Sequence, residues 1–357
     1  MKRKLLGRVS AVAMASAMMV SMFGMSVSAE EKPGVTTGDD IKSVIVNKTI
    51  ETDGNTYAPN TTFSFNVDKG DAGEYDGNVV YEGVTDGLKG TEIKFSPSDD
   101  GMGTNGAITK EGALQVSVDK FETPGVYHYV VSEEVGTYEG IVYDNNSYDV
   151  YVYVYRDEDN NNKLYVGNVV SVNKTTKGKA DLKFTNDYGK NSDTTHDITI
   201  TKKIEGDMAN MSETFEFQVS VNGGAGEQYK VVIKEHANSK ATVEYLVSGD
   251  SAKPYEIGND GSIQIFGLSA NDKYTVVETA ANTDGYTTTV SVNTKDDDGK
   301  TVSGKLTSDN TNITYTNTKN ANTPTGIIMN IAPYIVLVAF AAVAALFFLR
   351  RRNNREF

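Results

Sequence analysis

Between about residue 41 and residue 319, apolar side chains recur at every second position in short runs, the signature of strands that turn one face to a core. Val44, Val46 and Ile50 share one parity, and Ile198, Ile200 and Ile204 repeat it. Phe63, Phe65 and Val67 form a second run, matched by Phe215, Phe217 and Val219. Tyr129 and Val131 correspond to Tyr274 and Val276, and each stretch closes on an aromatic strand, Leu182 and Phe184 or Ile313 and Tyr315. The same runs come twice in the same order, so the chain reads as one unit repeated. Its copies are residues 41–187 and 198–319, with the polar run Asp187–Asp197 as a linker. The expected fold class is all-β, two β-sandwich domains in tandem.

Three polar side chains fall on the apolar parity of each unit: Lys48, Glu133 and Asn186 in the first, Lys202, Glu278 and Asn317 in the second. Burial disfavours the charged form of an ionisable group, lowering the pKa of Lys and raising that of Glu. A neutral amine is a nucleophile, and a protonated carboxyl can hydrogen-bond to and polarise the Asn side-chain carbonyl. Held in contact, the amine can attack the amide, release ammonia and leave a Lys–Asn isopeptide bond, with proximity contributing an effective molarity on the order of 10⁵ M. The competing explanation is a buried Lys–Glu ion pair with Asn as its hydrogen-bond partner, an arrangement costly to desolvate and rarely net stabilising. The same trio in the same order in both units weighs against coincidence. Lys203 adjoins Lys202 and Glu134 adjoins Glu133, and parity favours Lys202 and Glu133.

Both ends read as sorting segments. Met1-Lys2-Arg3-Lys4, an apolar stretch around Leu5–Met25 and Val27-Ser28-Ala29 have the form of a secretory signal peptide, residues 1–29, cleaved after Ala29. Near the other end, Asn322-Thr323-Pro324-Thr325-Gly326 precedes an apolar run densest from Ile331 to Leu349, followed by Arg350-Arg351-Arg352. That run is close to the ~20 residues a membrane-spanning helix needs, with a basic tail that stays cytoplasmic. Residues 322–357 resemble the cell-wall sorting signal of Gram-positive surface proteins, in which a sortase cuts between Thr and Gly, here Thr325 and Gly326. The usual L-P-x-T-G has Asn322 and Thr323 in its first two places here.

The full chain of 357 residues has a net charge of −14, and residues 30–325 alone carry 26 basic and 47 acidic residues, net −21. A nucleic-acid partner is therefore not expected. The absence of Cys excludes thiolate metal sites, a Cys nucleophile and disulfides, and three scattered His residues make no metal cluster. Asp157-Glu158-Asp159-Asn160-Asn161-Asn162 opens like a calcium loop but has Asn162 where Gly is needed and Asn168 where Glu is needed. A hairpin turn between Tyr148–Tyr155 and Leu164–Val172 explains it better. Neither a cofactor nor a metal is expected.

The two units resemble the Ig-like (CnaB-like) domains of the backbone pilins of Gram-positive sortase-assembled pili, of the streptococcal T-antigen type. The resemblance is carried by Ala58-Pro59-Asn60-Thr61-Thr62-Phe63-Ser64-Phe65, by residues 121–129, by Val131-Ser132-Glu133-Glu134, by Tyr143-Asp144-Asn145-Asn146-Ser147-Tyr148 and by Phe184-Thr185-Asn186. In the second unit, Tyr274-Thr275-Val276-Val277-Glu278-Thr279, ending at Gly285-Tyr286, is similar to the family's E-box. The resemblance implies bonds Lys48–Asn186 and Lys202–Asn317, assisted by Glu133 and Glu278, the same six residues that parity selects. It also implies a linking Lys seven residues before the bonded Asn, which falls on Lys179; Lys177 and Lys174 are substitutes in the same basic loop, itself open to a plain solvated-loop explanation. The expectation is a structural subunit, not an enzyme, secreted and anchored to the cell wall. Its implied partners are a sortase, identical subunits in a head-to-tail polymer, peptidoglycan or a base pilin, and host surface ligands. The rival function is a monomeric wall-anchored adhesin or accessory pilin, which needs no linking lysine.

Overall fold

In the computed structural model, residues 33–321 are described apart from 39, 159, 160, 192, 298 and 308, together with 337, 338 and 341. The expected signal peptide and the sorting signal with Thr325 and Gly326 lie outside the described residues. Among the described residues no helix is long and apolar enough to cross a membrane.

The chain is nearly all β, and two separate cores fill two sandwiches. In the N-terminal domain an eight-stranded sheet follows the order Val35–Thr37, Lys163–Asn173, Ser147–Asp157, Gly125–Glu133, Thr61–Lys69, Thr91–Phe95, with two short strands attached beside Gly125–Glu133. It packs on a four-stranded sheet ordered Leu182–Tyr188, Ser43–Thr52, Ala107–Val116, Leu88–Lys89. The C-terminal domain pairs a seven-stranded sheet, in which Ser262–Ser269, Thr195–Glu205, Thr311–Thr318 and Thr287–Val292 are consecutive neighbours, with a four-stranded one. The latter is ordered Lys253–Gly258, Thr214–Asn222, Lys273–Glu278, Thr301–Lys305.

Alternation in sequence becomes alternation in burial because side chains leave a strand on opposite faces. Ser43–Thr52 alternates strictly between half-buried and buried positions, so Val44, Val46, Lys48 and Ile50 all point inward. Lys203 and Glu134 are exposed, as parity requires. The hairpin around residue 160 is present: Asp157 faces Lys163, and Asn161 and Asn162 take the left-handed conformation, φ 51° and 56°, that Asn tolerates in tight turns.

The linker is shorter than its polarity suggests. The last strand of the first unit runs through Asp187 to Tyr188, and the first strand of the second opens at Thr195, so His196 is paired with Leu268 and Asp197 sits at the bulge between His196 and Ile198. Other polar side chains join the two domains directly. Lys230 Nζ donates to Asn55 Oδ1 at 2.7 Å, Asn60 Nδ2 donates to the Ala225 carbonyl at 2.8 Å, and Asn271 Nδ2 donates to the Glu139 carboxylate.

Candidate functional site

In each domain the first and last long strands of the repeat lie side by side and parallel. Lys48 pairs with Phe184 and Ile50 with Asn186; in the second domain Lys202 pairs with Tyr315 and Ile204 with Asn317. Lys and Asn therefore sit on adjacent strands, two positions apart in register and on the same inward face. The carboxylate comes from the opposite sheet: Glu133 pairs with Phe65, and Glu278 with Phe217. The first aromatic of each run lies against the amine, with the Phe63 ring centre 4.8 Å from Lys48 Nζ and the Phe215 ring centre 4.3 Å from Lys202 Nζ.

Each glutamate bridges its two neighbours. Lys48 Nζ donates to Glu133 Oε2 at 2.8 Å while Asn186 Nδ2 donates to Oε1 at 2.7 Å. In the second domain the distances are 2.9 Å from Lys202 Nζ to Glu278 Oε2 and 2.5 Å from Asn317 Nδ2 to Oε1. Lys48, Lys202, Asn186 and Asn317 are completely buried. Burial lowers both lysines from 10.5 to about 8 against the opposing pull of their glutamates, and burial raises the Glu133 carboxyl above its ordinary value. The amines are therefore far closer to their neutral form near physiological pH than surface lysines are.

The amide orientation differs from the sequence expectation that the glutamate polarises the Asn carbonyl. Glu133 and Glu278 meet the amide nitrogen instead. In the first domain the reason is explicit: the backbone N–H of Asp144 donates to Asn186 Oδ1 at 2.7 Å, and a donor there obliges the oxygen to face it.

The lysines of the basic loop lie on the surface. Asn173 Oδ1 accepts the Thr175 and Thr176 N–H groups at 2.9 and 3.0 Å, closing a tight turn that presents Lys174, Lys177 and Lys179 outward. Lys177 takes a left-handed φ of 58°, Lys174 Nζ lies 3.6 Å from Asp149, and Lys179 Nζ lies 3.9 Å from Asp76. No group of acidic or His side chains among the described residues could hold a metal ion.

Two features escape a sequence reading. One is the Asp144 N–H, since a backbone donor leaves no compositional trace. The other is an acidic cluster at the domain interface: Tyr138 Oη donates to Glu227 Oε1 at 2.7 Å, Tyr229 Oη donates to Glu227 Oε2 at 2.6 Å and lies 3.1 Å from Asp272 Oδ2. Glu227 and Asp272 are buried although they sit in polar Gly- and Asn-rich turns, because the first domain covers those turns.

Comparison with known proteins assigns the family. The model of the Spy0128-like isopeptide containing domain matches residues 44–189, and a model described as a domain of unknown function (DUF7601) matches residues 196–319. A pilin of Streptococcus pyogenes serotype M1 is 30% identical over 311 residues, covering 84% of this chain and 87% of the relative. This chain belongs to the streptococcal T-antigen-type major pilins. Among solved structures, the major pilin of S. pyogenes is similar with a TM-score of 0.61 at 26% identity, covering 78% of this pilin and 99% of that chain. The T3.2 major pilin of the same species is similar with a TM-score of 0.59 at 25% identity, covering 80% and 99%. The two-sandwich architecture of this pilin is thus that of the family.

Proposed function

We propose that this pilin is the shaft subunit of a covalently polymerised, cell-wall-anchored pilus, and that each domain is closed by an autocatalytic isopeptide bond, Lys48–Asn186 and Lys202–Asn317. The observation that carries the reading is the repeated geometry: one buried carboxylate bridging an amine and a carboxamide on adjacent parallel strands, twice.

The reaction needs only these groups. Within the Lys–Glu pair the ammonium proton passes to the carboxylate, leaving Lys Nζ with a free electron pair. Nζ adds to Asn Cγ, and the carbonyl electrons move onto Oδ1. As they return, the Cγ–Nδ2 bond breaks, and Nδ2 leaves as ammonia with a proton delivered by the glutamic acid, which already contacts it. The amine nitrogen of the new bond gives up its remaining extra proton to the carboxylate. One C–N bond forms, one breaks, and no oxidant or cofactor is required.

The bonds would tie the first strand of each domain to its last, closing loops of 138 and 115 residues (186−48 and 317−202). By analogy with disulfides, loops of this size contribute roughly 4–5 kcal/mol through the unfolded state. Tension entering one terminal strand would leave through the other without crossing the core. The sorting signal supports cleavage between Thr325 and Gly326, with sortase passing the Thr325 acyl group to Lys179 of the next copy, and the outward-facing basic loop supports that acceptor.

Intact mass of residues 30–325 tests the cross-links. The parent is expected to fall about 34 Da below its sequence mass, and Glu133→Ala and Glu278→Ala each to regain about 17 Da. The full unmodified mass in folded protein would overturn the reading and leave the trios as ordinary buried polar groups.

A further inference from the structure

Asn186 and Asn317 offer the same carboxamide to the same kind of carboxylate, yet their carbonyl oxygens meet different surroundings. Asn186 Oδ1 accepts the Asp144 N–H at 2.7 Å, whereas Asn317 Oδ1 is buried with no hydrogen-bond partner among the described residues. Sheet order accounts for the difference. Leu182–Tyr188 is the edge strand of its sheet, so residues 142–146 can run along its free side. There Val142 and Asp187 exchange backbone hydrogen bonds at 2.9 and 3.0 Å. The same side of Thr311–Thr318 is occupied by the Thr287–Val292 strand, with Thr288 opposite Asn317, and the Thr288 N–H is already taken by Asn282 Oδ1 at 2.7 Å.

The Asp144 side chain fastens this arrangement at two points. Oδ2 accepts the N–H of Thr185, the residue just before Asn186, at 2.7 Å, and Oδ1 accepts the N–H of Asn146 at 2.8 Å. With both ends of its own turn held, the Asp144 backbone N–H has one direction left, toward Asn186 Oδ1. That atom takes up negative charge when Lys48 Nζ adds to Cγ, and a donor already in place costs no reorganisation at that moment. The carboxylate charge of Asp144 itself works weakly against the amine, the last of the influences on Lys48.

We infer that Asp144 is a positioning residue for cross-linking of the first domain: its carboxylate holds its own backbone N–H on Asn186 Oδ1 as an oxyanion donor, so that the Lys48–Asn186 bond forms faster than the Lys202–Asn317 bond. The inference rests on the cross-linking reading of the two trios. Losing one oxyanion donor slows a reaction by about 10²-fold or more.

The test follows both bonds at once. Residues 30–325, synthesised and kept unfolded in denaturant, are refolded, quenched in acid at intervals and digested, and the two cross-linked peptides are counted by mass spectrometry. In the parent the first-domain bond is expected to lead. Asp144→Ala is expected to slow it by about 10²-fold while leaving the second-domain bond at its parental rate, an internal control within every molecule. Asp144→Asn keeps one acceptor oxygen and is expected to fall between them, a graded rescue that a merely structural role would not produce. Equal rates for the two bonds in the parent would overturn the inference, and that comparison needs no variant to fold. An unchanged first-domain rate in folded Asp144→Ala would also overturn it. Failure of the underlying reading looks different: neither peptide would appear in any sample.

Discussion

The two domains hold one chemical trio in sandwiches of opposite proportions. In the first, Lys48 and Asn186 lie in the four-stranded sheet and Glu133 in the eight-stranded one; in the second, Lys202 and Asn317 lie in the seven-stranded sheet and Glu278 in the four-stranded one. The elements common to both are small: two parallel strands, an antiparallel pair facing them, and the registers Lys48–Phe184, Lys202–Tyr315, Phe65–Glu133 and Phe217–Glu278. Everything outside that unit can grow or shrink. The comparison teaches that the arrangement of the trio is a property of local register plus burial, and that the surrounding sheet decides what covers the last strand.

The largest effect should come from removing one bond at a time. Asn186→Ala and Asn317→Ala are each expected to lower the stability of their own domain by roughly 4–5 kcal/mol, about 10 °C or more in its calorimetric transition, and to leave the other transition in place. If either change moved both transitions equally, the domains would be a single cooperative block and the comparison between them would lose its meaning.

The pH dependence of bond formation sharpens the comparison next. Each lysine carries its proton below about 8, and the reactive arrangement proposed above needs that same proton moved onto the neighbouring glutamate. The pair loses it as pH rises through the lowered lysine pKa of about 8. Refolding rates of cross-linking are therefore expected to be flat from neutrality to about 8 and to fall toward tenfold per unit above it, alike in both domains, because the ammonia then lacks its proton donor. A rate that keeps climbing through pH 9 would mean that the carboxylic acid is not needed.

A smaller effect belongs to the interface between the domains. Burial first and Glu227 second raise Asp272 from 3.8 to about 7. A carboxyl with a raised folded-state pKa binds its proton more tightly when folded, so stability is greatest below about 4 and falls as pH climbs toward 7. Asp272→Asn, which keeps the shape and cannot ionise, is expected to gain on the order of 1 kcal/mol at pH 8 and little at pH 4, read by urea unfolding at both values.

The smallest effect on stability should come from Lys179→Ala, whose side chain is exposed and only 3.9 Å from Asp76 at its nearest charge. Its melting is expected to move by no more than about 0.5 kcal/mol, while incorporation into polymer in a reconstituted sortase reaction should stop. Continued polymerisation would move the acceptor role to Lys177 or Lys174.

Much of this architecture was legible beforehand because strand burial is local. Period-two alternation put Lys48, Glu133 and Asn186 on the core face before any partner strand was known, and it chose Lys202 over exposed Lys203 and Glu133 over exposed Glu134. The linker is shorter than polarity suggests for the same reason: Asp187 pairs with Glu51 and His196 with Leu268, and local polarity does not register partners that far along the chain. Glu227 was invisible because it is polar, sits in a Gly-rich turn and meets Tyr138, more than eighty residues away in the chain and in the other domain.

The sequence by itself determined which side chains turn inward, since neighbouring residues on a strand must point to opposite faces. It also determined, through its repeat, that the same trio occurs twice. Only the tertiary structure decided what each Asn carbonyl oxygen meets, the Asp144 N–H for Asn186 and no donor among the described residues for Asn317. That choice depends on whether the last strand is a free edge, as at Leu182–Tyr188, or is covered by another strand, as at Thr311–Thr318. Strand order is set by packing between segments far apart in the chain, and no local pattern encodes it.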